Sequence, residues 1–456
     1  MSHRKLSSYS SAGIARRCLA PMALVLMVLS GGCGGGGGGG GGGSSVPTDQ
    51  VAFNAGLDAY TANNYAGAKI AFENFIATYP TSGLVDDATF YLGKTLYWQS
   101  DFAGAITKFD AVLATYPTSS VADDSMYWKG KSVHQQANAG DTTKFAAART
   151  VYQLVISSYA GSSLLPDCYY QIGQTYYDQK LYVNAITAHD YVLATYPTST
   201  AADGSQYYKA RSIHELAQAA TLGYTFAQAR TEYASLMTTY PASIWVDNAQ
   251  YQIGKTYYDD PIPNYAQALV EFNLVLTNYA ASTSADSAQY YIGRTYHAQL
   301  SYAIARTAYG LVITNYPASI WVDNAQYQIG KTYYDELNYA SALTSLQLVI
   351  TNYPMSTSAD VAQYYIGRAY HQLANYAPAR TAYGLVITNY PTSIWADSAS
   401  YRTAQTYHDS TQCTLELAAL QVFVAAYPAS IYVAAAQTDI VDLQLATPVI
   451  HTVCTP

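Results

Sequence analysis

Charge is scarce in this chain. Lys, Arg, Asp and Glu make up 11% of its 456 residues, and 22 basic side chains face 30 acidic ones. There is no lysine-rich stripe of the kind a phosphate backbone demands, which excludes nucleic acid as a partner class. The apolar run Leu19–Leu29 is shorter than the roughly 20 residues that a transmembrane helix needs. The histidines match no zinc-ligand spacing. Gly-Lys-Thr occurs at Gly93, Gly254 and Gly330, but each copy lacks the upstream glycine of a phosphate loop and sits in a helical pattern. Ser, His and Asp are present with nothing to single out a nucleophile. The residues therefore give no ground for a metal, a cofactor or catalysis.

What the chain has in quantity is Tyr, 48 residues of it, and repetition. The segment Pro317–Tyr353 is written with small edits along almost the whole chain. Its end aligns on Tyr79, Tyr116, Tyr159, Tyr196, Tyr240, Tyr279, Tyr316, Tyr353, Tyr390 and Tyr427, spaced by 37, 43, 37, 44, 39 and then 37 four times. Within it, Ala325, Ile329, Gly330 and Tyr333 follow at helical spacing, and Asn338 marks a turn into a second helix carrying Ala342, Leu346 and Val349. Ser319 is expected to cap the first helix, with Asp323 in its opening turn beside the orphan N–H groups. Pro354 ends the second helix. Repetition at this period is the mark of a solenoid, in which each unit packs only on its neighbours. Insertions near Asn138–Lys144, Gln218–Tyr224 and Asp260–Pro263 all fall between the two helices of a unit and so share one edge.

The spacing resembles the tetratricopeptide repeat, W-x2-L-G-x2-Y, A-x3-F and P, with Ile329, Gly330, Tyr333, Ala342, Leu346 and Pro354 in register, as are Leu92, Gly93, Ala105, Phe109 and Pro117. Gln250, Gln289, Gln326 and Gln363 stand where that pattern has Trp, and the period is 37 rather than 34. The YPxSxxxD junction is similar to that of Gram-negative envelope proteins, namely the Tol-Pal system periplasmic protein and the BamD-like lipoprotein of outer-membrane assembly. The resemblance implies an all-α, right-handed solenoid of about ten helical hairpins over residues 48–430, capped by a helix over 431–446 and followed by a tail, 447–456.

The N-terminus reads as an export signal over 1–33. Arg4, Lys5, Arg16 and Arg17 precede the apolar run, and Leu29 stands four residues before Cys33, the expected lipidation site. Residues 34–47 form a Gly/Ser-rich tether able to span ~20 Å. Removing the signal takes away four positive charges and no negative ones. Of the remaining cysteines, Cys168 follows a helix start and suits the core, while Cys413 and Cys454 are a candidate pair fastening the tail.

One stripe on the first helices, at i, i+4 and i+7, carries most of the chain's chemistry. Its members are Tyr207, Arg211 and His214; Tyr251, Lys255 and Tyr258; Tyr290, Arg294 and His297; Tyr327, Lys331 and Tyr334; and Tyr364, Arg368 and His371, with Tyr127, Lys131, His134 and Tyr170, Gln174, Tyr177 before them. The resemblance puts these positions on a concave face that contacts extended peptides. The leading Tyr has an equally good alternative role, packing on neighbouring first helices. The third member alternates between Tyr and His, so the genetic unit is a pair of repeats. These residues and the resemblance together imply a non-catalytic scaffold, lipid-anchored at Cys33 to the periplasmic face of the outer membrane, holding envelope proteins or peptides. The competing readings are a soluble periplasmic protein and a peptidoglycan- or polysaccharide-binding protein whose Tyr ladder stacks on sugars.

Overall fold

A computed structural model of the chain describes residues 47–445. The described residues fall in two units, 47–51 and 52–445. Of the first, the described residues 47–51 lead into the opening turn of a helix. The described residues hold 21 helices and no strand. Twenty of them form ten hairpins, numbered 1 to 10 here, running from Thr48–Thr61 with Tyr65–Thr78 to Ala396–Asp409 with Cys413–Ala426. The last helix, Val433–Leu445, follows hairpin 10 and packs on its second helix.

Eight of the ten hairpins close on a first-helix glycine, and hairpins 5 and 10 have Ala210 and Ala404 in its place. Tyr309 in the second helix of hairpin 7 (Tyr302–Asn315) is fully buried against Gly293 in the first (Ala285–Ala298), so near that a Cβ on Gly293 would lie 2.6 Å from the ring. Gly93 meets Phe109, Gly254 meets Phe272 and Gly330 meets Leu346 in the same way. Ala305, one turn before Tyr309, is equally buried and lets the helices approach. The Gln at the Trp position of the repeat is explained here too. Gln289, Gln326 and Gln363 are buried and donate to the second-helix carbonyls of Ala308, Ser345 and Ala382, at 3.0, 3.0 and 3.1 Å. A polar residue replaces an aromatic one at no cost in unpaired groups.

Five of the second helices begin at a side-chain cap, as where Asn264 and Asn338 accept from the N–H groups of Gln267 and Ser341. First helices do not. The helix of hairpin 8 starts at Val322 with Trp321 at its cap and no side-chain bond there, which corrects the capping role expected of Ser319. Ser319 instead donates to Asp286 Oδ2 of hairpin 7 at 2.6 Å and accepts from the N–H of Trp321 at 3.0 Å. The same bridge joins Ser162 to Asp123, Ser243 to Asp203 and Ser393 to Asp360. The junction serine is thus a clamp between hairpins.

Each second helix packs on the next first helix, and nearly every first helix also touches the following one. The first helices thereby make a continuous inner layer. The insertions in hairpins 3 and 5 are partly helical, extending the first helices to Asn138 and Gln218, seventeen residues against the usual fourteen.

One core position is unusual. His189 occupies the place of Phe109 and Phe272, is fully buried, and finds no partner for either ring nitrogen among the described residues. Burial pushes it down to about 3, so it is neutral. In the unfolded chain it titrates near 6.5. A depressed His favours the unfolded state as it charges, so its contribution is intact above about pH 6.5 and declines as pH falls from there toward 3.

Two outcomes are expected from unfolding midpoints. Gly293→Ala should destabilise by about 1–3 kcal/mol through overpacking, whereas Gly310→Ala, in the same hairpin with open space around its Cβ, should stabilise by roughly 0.5–1 kcal/mol. His189→Phe should flatten the loss of stability between about pH 6.5 and 3.

Candidate functional site

The stripe on the inner layer sorts into three roles. The leading Tyr packs on the next hairpin. Tyr207, Tyr251, Tyr290 and Tyr364 are buried and Tyr327 is half-buried. Tyr207, Tyr290 and Tyr364 stack on Trp245, Trp321 and Trp395 of the next hairpin at 4.7, 4.5 and 4.8 Å between ring centroids. Tyr251 and Tyr327 pack against Tyr291 and Tyr365 of the following hairpin. Their faces are used up in holding hairpins together.

The second position carries the cations, and they lie over rings. Arg294 sits 5.1 Å from the centroids of both Tyr258 and Tyr291, and Arg368 sits 4.9 and 5.2 Å from Tyr334 and Tyr365. Arg211 lies over Tyr177 and Tyr207, Lys255 over Tyr291 and Lys331 over Tyr365. Each cation therefore bridges two hairpins. Lys255 and Lys331 are also paired with Asp259 and Asp335 on their own helices, and Arg211 approaches Glu215 at 3.6 Å. Arg294 and Arg368 have no carboxylate partner among the described residues, and both keep part of their surface in solvent.

The third position explains the alternation. His134, His297 and His371 each meet a carboxylate of the next hairpin: Asp178 at 3.0 Å, Asp335 at 2.8 Å and Asp409 at 2.7 Å. His214 approaches Asp259 at 3.7 Å, with Gln218 bonded to the same carboxylate at 2.7 Å. The intervening Tyr177, Tyr258 and Tyr334 instead meet a Tyr of the next hairpin edge-on, Tyr208, Tyr291 and Tyr365. These aspartates are partners of the stripe that reading the stripe alone missed. Their signal was present, since an Asp directly follows the third stripe member in alternate repeats, at 178, 259, 335 and 409.

Electrostatics follow from the pairing. Burial opposes ionisation of Asp335, but hydrogen bonds from His297 and Lys331 outweigh it and hold the carboxyl below its usual range; His214 and Lys255 do the same for Asp259. Burial pushes His214 down despite its bond to Asp259. Gly93, Gly254 and Gly330 of the Gly-Lys-Thr copies all fall inside helices, where no loop exists to cradle a phosphate.

Cys33 and the expected tail lie outside the described residues. Cys168 is a buried free thiol, pushed up to about 12 by burial. Cys413 is buried and disulfide-bonded; Cys454, its expected partner, lies outside the described residues.

Asp335→Asn, which leaves Lys331 and His297 facing a neutral amide, should cost about 1–3 kcal/mol at neutral pH. A depressed carboxylate stabilises above its unfolded value of about 3.9 and loses that contribution as pH falls through its folded value, so the gap between variant and wild type should close in acid. Unfolding midpoints measured across pH check both parts.

No curated protein sequence matches. Solved structures that are similar include a tetratricopeptide repeat protein from Parabacteroides merdae, 13% identical with a TM-score of 0.42, covering 58% of this chain and 92% of that one. Another is the C-terminal part of a TPR repeat-containing protein from Cytophaga hutchinsonii, 17% identical with a TM-score of 0.40, covering 53% and 87%. The model of the outer membrane lipoprotein family YfiO matches residues 47–220 and 290–447, most of the chain. Built of tetratricopeptide-type hairpins over almost its whole described length, the chain belongs to the YfiO family of outer membrane lipoproteins.

Proposed function

We propose that this chain is a non-catalytic scaffold of the bacterial envelope, held by a lipid at Cys33 to the periplasmic face of the outer membrane, that grips extended, acidic segments of envelope proteins along its first-helix layer. A protein-interaction scaffold is what the family and the repeat fold support; the anchor, the acidic ligand and a role in envelope assembly are the finer reading.

One observation carries it. Arg294 and Arg368 are the stripe cations held over two Tyr rings with no carboxylate of the chain to neutralise them among the described residues. They occupy equivalent places two hairpins apart. A guanidinium fixed on an aromatic bed keeps its donors directed outward, and it suits a carboxylate from an approaching peptide. The stripe lysines, already paired, are poorer candidates. Four of the five leading Tyr are buried and the fifth, Tyr327, is half-buried, so the Tyr ladder lends less to a polysaccharide reading than its abundance suggests.

In cells, the variant Arg294→Ala with Arg368→Ala should lose photo-crosslinks to envelope proteins at least about tenfold, beyond what its lowered unfolding midpoint explains, since two cation–π bridges are also lost. Lys331→Ala should lower stability by a comparable amount and spare crosslinks, which makes it the control. Co-sedimentation with purified peptidoglycan sacculi that survives the Arg substitutions, with crosslinks unchanged, would contradict the proposal.

A further inference from the structure

The hairpin turns lie side by side along one edge of the array. His297 and Asp335, and His371 and Asp409, join the C-terminal ends of successive first helices. Arg230 and Arg306 reach from second helices to the turn of the next hairpin, meeting Asp260 at 3.6 Å and Glu336 at 2.8 Å. From hairpin 4 to hairpin 9 every turn puts an exposed aliphatic side chain on this edge: Leu181, Leu222, Ile262, Leu300, Leu337 and Leu373. Leu222 is 98% exposed, Ile262 86%, and Leu300 and Leu337 70% each.

Two of these residues are costly twice over. Leu300 and Leu337 have φ of 60° and 64°, a conformation that suits Gly or Asn and strains Leu. The equivalent places in hairpins 1, 2 and 10 hold Asn63, Ser100 and Thr411. The insertions of hairpins 5 and 6 supply Leu222 and Ile262, the most exposed of the six. Bare apolar surface repeated on one edge through six hairpins, with backbone strain added at Leu300 and Leu337, has no return within the chain.

We propose that this edge docks on the surface of a lipid bilayer, with Leu222, Ile262, Leu300 and Leu337 entering the boundary between headgroups and acyl chains. The occupant follows from what surrounds the edge. The chain belongs to an outer membrane lipoprotein family, and among the described residues no helix is long and apolar enough to cross a membrane, so contact through side chains at one edge is the mode left to the folded body. Only 14 residues separate Cys33 from Thr48, so the body stays within about 50 Å of any membrane that holds Cys33; in this the proposal rests on the anchor reading. Asp260 and Glu336 are bridged by arginines, and the whole chain is acidic at −8, so anionic lipid gives no attraction. The lipid recognised is zwitterionic, and the driving force is apolar insertion.

The test uses the mature chain from position 33 onward carrying C33S, so that neither an acyl chain nor the apolar run Leu19–Leu29 contributes, floated with phosphatidylethanolamine–phosphatidylcholine vesicles. It is compared with the same chain also carrying L222S, I262S, L300S and L337S. Partition should fall at least about tenfold in the second chain, with no change between roughly 0.05 and 0.5 M salt. Equal partition of the two would overturn the proposal. Loss of self-association in the second chain with lipid partition unchanged would also overturn it, assigning the edge to a second copy. Failure of the anchor reading appears separately, as a wild-type chain without an acyl adduct, and leaves this comparison intact.

Discussion

The structure depends on one contact, the seating of a bulky second-helix side chain against a small first-helix residue, glycine in eight of the ten hairpins. Tyr309 on Gly293, Phe272 on Gly254 and Leu346 on Gly330 fix how near the two helices of a hairpin lie. That distance sets where the next first helix must pack, because a hairpin of two short helices buries too little surface to stand alone. Everything along the inner layer inherits its register from this contact. The ring may be Phe, Tyr or even the neutral His189, since the position selects for volume and shape.

Hairpins are joined by two chemistries in alternation. Where a His hairpin meets the next, a Tyr–Trp stack, a Ser–Asp clamp and a His–Asp pair act together, as with Tyr290 and Trp321, Ser319 and Asp286, and His297 and Asp335. At the following junction the contact is aromatic, with Tyr334 edge-on to Tyr365 and Lys331 and Arg368 over their rings. Such division explains how a chain so poor in charge holds a long array: its few ions are placed where hairpins meet. It also leaves Arg294 and Arg368 on the aromatic junctions with no carboxylate of their own among the described residues.

Much of this was legible in the sequence. Period, hairpins, the Gly-and-ring pair and the alternation of two repeats all follow from residue spacing, because these patterns are local. What was not legible depends on the neighbouring hairpin. Ser319 looks like a cap because Ser caps helices, yet its hydroxyl is drawn to Asp286, 33 residues upstream. The leading Tyr could have faced a groove or a neighbour, and only the arrival of Trp245, Trp321 and Trp395 decides for the neighbour. Asp335 has the signature of an ordinary helix-end carboxylate until the packing sets His297 against it. The exposed turn leucines escaped notice because a single surface Leu means nothing; their meaning comes from standing in a row.

The central claim is that the first-helix layer is where partners are held. Hydrogen–deuterium exchange on the full chain, compared before and after addition of a detergent-solubilised envelope fraction, tests it most directly. The expected result is new protection concentrated on the C-terminal halves of first helices around Arg294 and Arg368, with second helices unchanged. Protection confined to second helices, or none anywhere in the array, would contradict it.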